Sequence, residues 1–357
     1  MTSIYVIGSV AIDLTAKSKG KASALFPLLR ASGFELTDNS ASHALLAIDH
    51  NQKKYKKYLN QGGSSKRAIL LRLEPKSVFP SQYKKRIEKK YQLIITPGAI
   101  PSENLETSNF GWPYQYHLNP TLPDKNDLTI EQIVQQLKEY GGINNSDLAK
   151  WAQRPILLSM IAGNWVSPVR DNNYGIRRKL AKEFPEHVLK IYGPLWNESF
   201  IKKIQYRLRV ALFAVRNMTI PNLKNIYGNL FSRYNNSEGF VSDKHEILSK
   251  SKFTLVIENS STYVSEKIFD ALINGSIPFY IGPPLKDVSI PPGIVIENNG
   301  TSDGIIRHIA DLDDTKIRNM LSGARDFLTS KDFESHWIES SVYSQIQSRI
   351  SIFLSVN

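Results

Sequence analysis

Three side chains fall close together in the stretch KFTLVIENSSTYVSEKIFDALINGSIPFYIG, residues 252–282, and the lysine among them suits the binding of an anionic group. They are Tyr263, Glu266 and Lys267. Lys267 is the most telling. Val264, Ile268, Ala271 and Leu272 recur at i, i+4, i+7 and i+8, which reads as one face of a helix. A lysine in the first turn of a helix is disfavoured by the macrodipole, by roughly a few tenths of a kcal/mol. The placement makes sense if an anion occupies that end, shared between backbone N–H groups and the ammonium. On such a helix Tyr263 and Lys267, four apart, face the same way, with Glu266 beside them. The plainer reading is a solvated first turn with an ordinary capping glutamate, and spacing alone does not decide between the two.

The elements that must hold these residues can be read from the same stretch. Residues 253–257 form a short apolar, β-branched run that suits a buried strand. Glu258 to Thr262 is a polar loop, Asn274-Gly275 stops the helix, and residues 277–281 form a second buried strand ended by Gly282-Pro283-Pro284. The order strand–loop–helix–strand predicts a parallel βαβ crossover.

This stretch resembles the signature of the family-10 α-1,3/4-fucosyltransferases, in a bacterial-type, GDP-fucose-dependent form. The features carrying the resemblance are Lys252-Phe253, Glu258-Asn259, the run Tyr263-Val264-Ser265-Glu266-Lys267, Pro278 and Gly282, in order and without gaps in the core. The resemblance covers about residues 67–284 and is strongest after Ser242. It implies an α/β fold of the GT-B type, two Rossmann-like domains facing across a cleft, with a C-terminal helix packing back. It also implies an inverting transfer of L-fucose from GDP-fucose to a glycan hydroxyl in α-1,3/4 linkage. The acceptor sugar would be an N-acetylglucosamine or glucose residue of a cell-surface polysaccharide. Asn259 and Tyr263 would position the donor, Lys267 would meet its diphosphate, and Glu266 would support the positive charge that grows on the anomeric carbon. No cofactor and no metal are implied.

Further matches are weaker. Residues 67–73 read as a strand that delivers Glu74-Pro75 at its C-terminal edge, the side on which open α/β sheets bind ligands. In the family a glutamate so placed is the proposed general base, which puts Glu74 in that role. This chain departs from the family in carrying Arg72-Leu73 before the glutamate, and Glu103 and Glu106 are the alternatives. A helix begun by Ile176-Arg177-Arg178-Lys179-Leu180 and running to Phe184-Pro185 follows a strand at 155–161 and precedes another at 188–192, which resembles the entry to the donor domain. There an arginine at the helix start reaches the nucleotide diphosphate. Arg177 matches best, and its guanidinium suits two phosphate oxygens; Arg178 is its neighbouring competitor. Trp112, Tyr114 and Tyr116 alternate in an aromatic segment that suits sugar stacking or, more ordinarily, core packing. Asp311-Leu312-Asp313 has an Asp-x-Asp pattern but lies in a helical segment and reads as surface.

At 357 residues the chain accommodates two domains. The expected division is residues 1–150 for the acceptor domain, 151–330 for the GDP-sugar domain, and a helical tail over 331–357. No run of about 18 apolar residues is present, and the opening MTSIYVIG reads as a strand rather than a signal peptide. The absence of cysteine excludes disulfides, thiolate metal sites and a cysteine nucleophile, and departs from animal Golgi members of the family. A cytoplasmic microbial enzyme is expected, with a peripheral contact at the inner membrane face as an extension of that expectation. The net charge of +12 includes Lys53, Lys54, Lys56 and Lys57, and then Lys84, Lys85, Arg86, Lys89 and Lys90. A solvated helix face is the plainest account of each run. No nucleic-acid signature accompanies them, so the expected partners are a nucleotide sugar and an oligosaccharide or glycolipid acceptor. The competing readings are the same fold with another donor, a non-catalytic glycan-binding relative, and a basic nucleic-acid-binding protein.

Overall fold

The computed structural model describes residues 2–9, 12, 14, 22–97, 106–110, 130–140, 145–216, 219–262 and 264–356. The chain divides into two compact units, residues 1–113 with 335–357, and residues 114–334. The first contains β1 (Thr2–Gly8), α1 (Leu25–Ala31), β2 (Phe34–Thr37), β3 (Ala44–Ile48), α2 (Gln52–Asn60), β4 (Ala68–Leu71), α3 (Lys85–Glu88), β5 (Leu93–Pro97) and β6 (Glu106–Phe110). The second begins with α4 (Ile130–Tyr140), α5 (Asn145–Ala152), β7 (Ile156–Ile161), α6 (Tyr174–Glu183), β8 (Leu189–Tyr192), α7 (Phe200–Arg216), α8 (Leu223–Tyr227) and β9 (Ser237–Gly239). It continues with α9 (Lys244–Ser249), β10 (Ser251–Ile257), α10 (Lys267–Ile273), β11 (Ile277–Ile281), β12 (Ile296–Glu297), α11 (Ser302–Ala310) and α12 (Asp314–Leu328). Two helices close the chain, α13 (Lys331–Trp337) and α14 (Glu339–Val356).

Each unit is built on a parallel sheet. In the first the order is β2-β1-β3-β4-β5-β6. Its central strands β1, β3, β4 and β5 are apolar on both faces, as strands covered on both sides must be. Ile4, Val6, Leu46 and Ile69 pack with α1 and α14, whereas Tyr5, Ile7, Leu45 and Leu70 pack against Tyr55 and Tyr58 of α2. The lysines of α2 occupy its outer face, with Lys53, Lys56 and Lys57 exposed. Pro27 lies in the first turn of α1, where its missing N–H has no helical acceptor to lose.

The second sheet has the order β12-β11-β10-β7-β8-β9. Read from β9, with these strands renumbered by appearance, that is 3-2-1-4-5-6, the doubly wound dinucleotide-binding order. The order reverses between β7 and β10, and ligands bind such sheets beyond the carboxyl ends of the strands at that reversal. The residues after Ile257 therefore lie where the topology calls for a site.

The units differ from the expected division at 150. Helix α4 packs on α10 and α12 and so belongs with the second unit, while α14 packs on α1 and completes the first. The tail is shared between the units: Phe333 packs on Phe269 and Phe327 of the second, whereas Val342, Tyr343, Ile346, Ile350 and Phe353 join the core of the first. The aromatic segment at 112–116 and the alternative glutamate Glu103 lie outside the described residues.

Candidate active site at the carboxyl edge of the second sheet

Strand β10 alternates Phe253, Leu255 and Ile257 into the core and then delivers Glu258, whose N–H still bonds Ile281 O at 2.8 Å. The Glu258 side chain has no solvent exposure. It accepts from Ser265 N at 2.8 Å and from Ser265 Oγ at 2.6 Å. Lys267 Nζ donates to the same Ser265 Oγ at 2.8 Å and lies 3.7 Å from Glu258 Oε2. A buried carboxylate is tolerated only with such compensation.

This network corrects the helix expected from Val264. Glu258 holds Ser265 in the loop, and α10 starts at Lys267 and runs seven residues. It is not amphipathic: Ile268 through Ile273 are all buried. Lys267 thus answers a buried carboxylate rather than standing on a longer helix. Gly282 closes the network from the other side. A Cβ there would overlap the Tyr280 hydroxyl and approach Glu258 Cγ to 2.9 Å. The Tyr280 hydroxyl is buried, without a hydrogen-bond partner among the described residues, and burial with Glu258 nearby raises its pKa.

Arg177 and Asn259 meet beside this network. Helix α6 carries Arg177 in its first turn, 2% exposed. One guanidinium nitrogen donates to Ile257 O at 2.5 Å and to Asn259 Oδ1 at 2.8 Å, and the group stacks over the Tyr174 ring at 4.9 Å. Asn173 N bonds Asn259 O, fastening the helix start to the same loop. Arg178 points elsewhere and donates to Trp165 O. Of the two arginines, Arg177 is the one brought to the end of β10. Tyr263 lies outside the described residues.

Glu266 is half-buried and acts electrostatically on a pair that sequence spacing does not reveal. Lys244 at the start of α9 bonds buried Asp270 at 2.6 Å. Burial works against the Lys244 ammonium, but Asp270, Glu266 and Asp243 outweigh it and raise its pKa. Lys244 lines a cleft of about 340 Å³ with Ile161, Gly163, Gly193, Ser242 and Asp243, past the ends of β7 and β8. Lys244 and Asp270 are 26 residues apart, and only the docking of α9 on α10 joins them. His245, next in sequence, is structural: its Nδ1 meets Asn274 Nδ2 at 2.8 Å.

In the first unit Glu74 follows β4 at the carboxyl edge. Buried Asp49, with φ of 57°, accepts at one oxygen from Leu73 N, Glu74 N and Gln82 Nε2 at 2.9–3.1 Å. Glu74 O accepts from Gln82 Nε2 and Tyr83 OH. The Glu74 backbone is therefore rigid and its side chain half-buried. Arg72, the departure from the family pattern, is 1% exposed; it bonds Glu88 at 2.7 Å and lies over Tyr83 at 4.2 Å. It braces the loop that holds Glu74. Sequence reading missed Asp49 as the organiser, although a polar residue ending an apolar strand was the available signal. Glu106 is in β6, and its side chain is outside the described set. Asp313, of the Asp-x-Asp pattern, caps α12 by accepting from Lys316 N.

No family model matches the chain. Over 87 residues it is 33% identical to an alpha-(1,4)-fucosyltransferase of Arabidopsis thaliana, a match covering 24% of this chain and 21% of that protein. Over 53 residues it is 45% identical to a fucosyltransferase-like protein of the same plant, covering 14% and 10%. The matched stretches span about a fifth of these relatives or less. Among solved structures, an alpha1,3-fucosyltransferase superposes with a TM-score of 0.53 at 14% identity, covering 99% of this chain and 89% of that one. HepE from Anabaena, solved with UDP and glucose, superposes at 0.52 with 10% identity, covering 99% and 100%. An alpha-glucosyltransferase bound to UDP and DNA superposes at 0.50 with 12% identity, covering 98% and 100%. The fold is that of the GT-B glycosyltransferases, two Rossmann-like α/β domains in one chain.

Proposed function

We propose that this protein is a glycosyltransferase that moves L-fucose from GDP-fucose to a hydroxyl of a glycan acceptor, with inversion. One observation carries the reading. Asn259, Arg177 and Lys267, all named from a fucosyltransferase-like motif, converge on the end of β10, at the reversal of a doubly wound sheet. The similarity in sequence to plant fucosyltransferases supports it.

In this reading Arg177 and Lys267 face the donor diphosphate. The bond from the anomeric carbon to the β-phosphate oxygen breaks, and the departing GDP gains charge that two fixed cations stabilise. The acceptor oxygen bonds to the anomeric carbon from the opposite side and passes its proton to Glu74, a carboxylate in the role of general base. Glu266 supports the positive charge on the sugar, and Asn259 with Tyr263 positions it. The cations supply the electrostatics, so the proposed reaction is independent of a metal and of any cofactor. An N-acetylglucosamine or glucose residue is the proposed acceptor, in α-1,3/4 linkage.

A second reading keeps the fold and changes the donor. It is favoured by the fold likeness, at equal level, to proteins solved with UDP. Calorimetric titration with GDP-fucose, GDP-mannose, UDP-galactose and GDP, without metal, separates the two. Selective binding of GDP and GDP-fucose is expected. Binding of a uridine nucleotide in their place would move the assignment to the second reading, and no nucleotide binding would end both.

A further inference from the structure

Helix α7 is built inside out. Its inward side carries Lys203, Arg207 and Ala214, all buried. Lys203 Nζ donates to Ser232 O, and Arg207 to Gly228 O at 2.9 Å. Its outward side carries Ile201, Leu208, Leu212 and Val215, exposed by 66%, 47%, 55% and 60%. These recur at i, i+7, i+11 and i+14, a single stripe along the helix. The apolar periodicity that would ordinarily mark a core-facing helix here faces away from the protein.

The exposed apolar surface extends beyond the helix. Phe231, 82% exposed, stacks on Phe200 at 5.0 Å, and α8, packed on α7, presents Leu223 at 58%. Contiguous apolar surface of this kind marks an interaction face.

The charge beside it names the occupant. Lys202, Arg209 and Arg216 recur every seven residues along one flank of the stripe, all exposed, with exposed Lys224 and Arg233 nearby in sequence. Between Asn197 and Asn236 the chain has seven lysines and arginines against one acid, Glu198, which pairs with Lys202. An apolar stripe shouldered by cations is the pattern of a helix that lies in the interface of an anionic bilayer. A second copy of the chain fits poorly, because it would set the same cationic flank against itself. Among the described residues no helix is long and apolar enough to cross a membrane. The geometry points to α7, with α8 and Phe231, as a docking face for an anionic lipid surface. This inference is independent of the sugar-transfer reading.

The test is sedimentation of the full chain with vesicles of phosphatidylcholine alone and of phosphatidylcholine mixed with phosphatidylglycerol. Binding to the mixed vesicles alone is expected, weakening as salt is raised. Two variants at exposed positions probe the two halves of the face. Leu212→Glu with Val215→Glu should lower partitioning by about tenfold or more. Arg209→Glu with Arg216→Glu should lower it by about fivefold per cation removed. Both should melt at the wild-type temperature, since neither pair is buried. Absence of binding to anionic vesicles, or binding unchanged in both variants, would overturn the proposal. So would a concentration-dependent dimer that Leu212→Glu dissociates, because a second copy would then own the face.

Discussion

Partly exposed Lys267 and buried Glu258 form a charge pair bridged by one hydroxyl: Ser265 Oγ donates to the carboxylate and accepts from the ammonium, whose Nζ lies 3.7 Å from Glu258 Oε2. The lysine proposed to meet the diphosphate is thus tethered by a carboxylate that Ser265 holds through two hydrogen bonds. Lys267→Ala should weaken GDP binding by about tenfold or more and lower turnover further, because a fixed cation acts most on the charge that develops in the transition state. It should also cost about 2 kcal/mol of stability by leaving Glu258 with Ser265 alone. Calorimetry and chemical denaturation measure the two effects separately. Unchanged GDP affinity and turnover would remove Lys267 from the site. A Glu258→Gln/Lys267→Ala cycle should show coupling of about 1–3 kcal/mol.

Arg177→Lys should fail to replace arginine. One guanidinium nitrogen bonds both Ile257 O and Asn259 Oδ1 while the planar group lies over the Tyr174 ring, and a compact ammonium cannot make those bonds, cover the ring and keep further donors for a phosphate. A loss of about tenfold or more in donor affinity is expected, with Asn259→Ala adding little on top of it. Independent, additive losses would show that the two residues do not act as one unit.

Glu74→Gln should leave GDP affinity within about twofold and lower turnover by about 10²–10⁴-fold, the range for loss of a general base. The backbone around it is held through Asp49, so the variant should stay folded. If turnover survives, the base is another carboxylate.

Gly282→Ala tests why glycine ends β11. A methyl there meets Tyr280 and Glu258, and overpacking of this kind costs about 1–3 kcal/mol. The strain should fall on the Glu258 network, so donor binding should weaken together with melting temperature. Wild-type values of both would mean that the site has more room than its geometry indicates.

The stability of the first unit should depend on pH through His50. Burial pushes its pKa down to about 4; Nδ1 meets Tyr91 OH at 2.6 Å. The unfolded chain binds this proton near pH 6.5 and the folded one does not until about 4. Stability is therefore full above the unfolded value and is lost as pH falls through that window, by about 3 kcal/mol in all. Urea midpoints between these limits should fall for the wild type and fall less for His50→Gln. Parallel slopes would show that other groups carry the effect.

Much of this protein was legible in its sequence, for a local reason. The run over 253–257, the stop at Asn274-Gly275 and the strand over 277–281 are short-range signals, and β10, the end of α10 and β11 stand where those signals put them. Residue type and spacing likewise singled out Lys267, and the family resemblance added Asn259 and Arg177. What those residues do to one another was decided by contacts that no local pattern encodes. The helix expected from Val264 starts at Lys267 because a buried Glu258, seven residues upstream, takes the Ser265 N–H. Lys244 finds Asp270 only where α9 meets α10, and Asp49 finds Glu74 only across adjacent strands. The spacing of Ile201, Leu208, Leu212 and Val215 places them on one face of α7, and only the packed structure turns that face outward. Periodicity records which side of a helix is apolar, whereas the surrounding chain decides what that side is shown to.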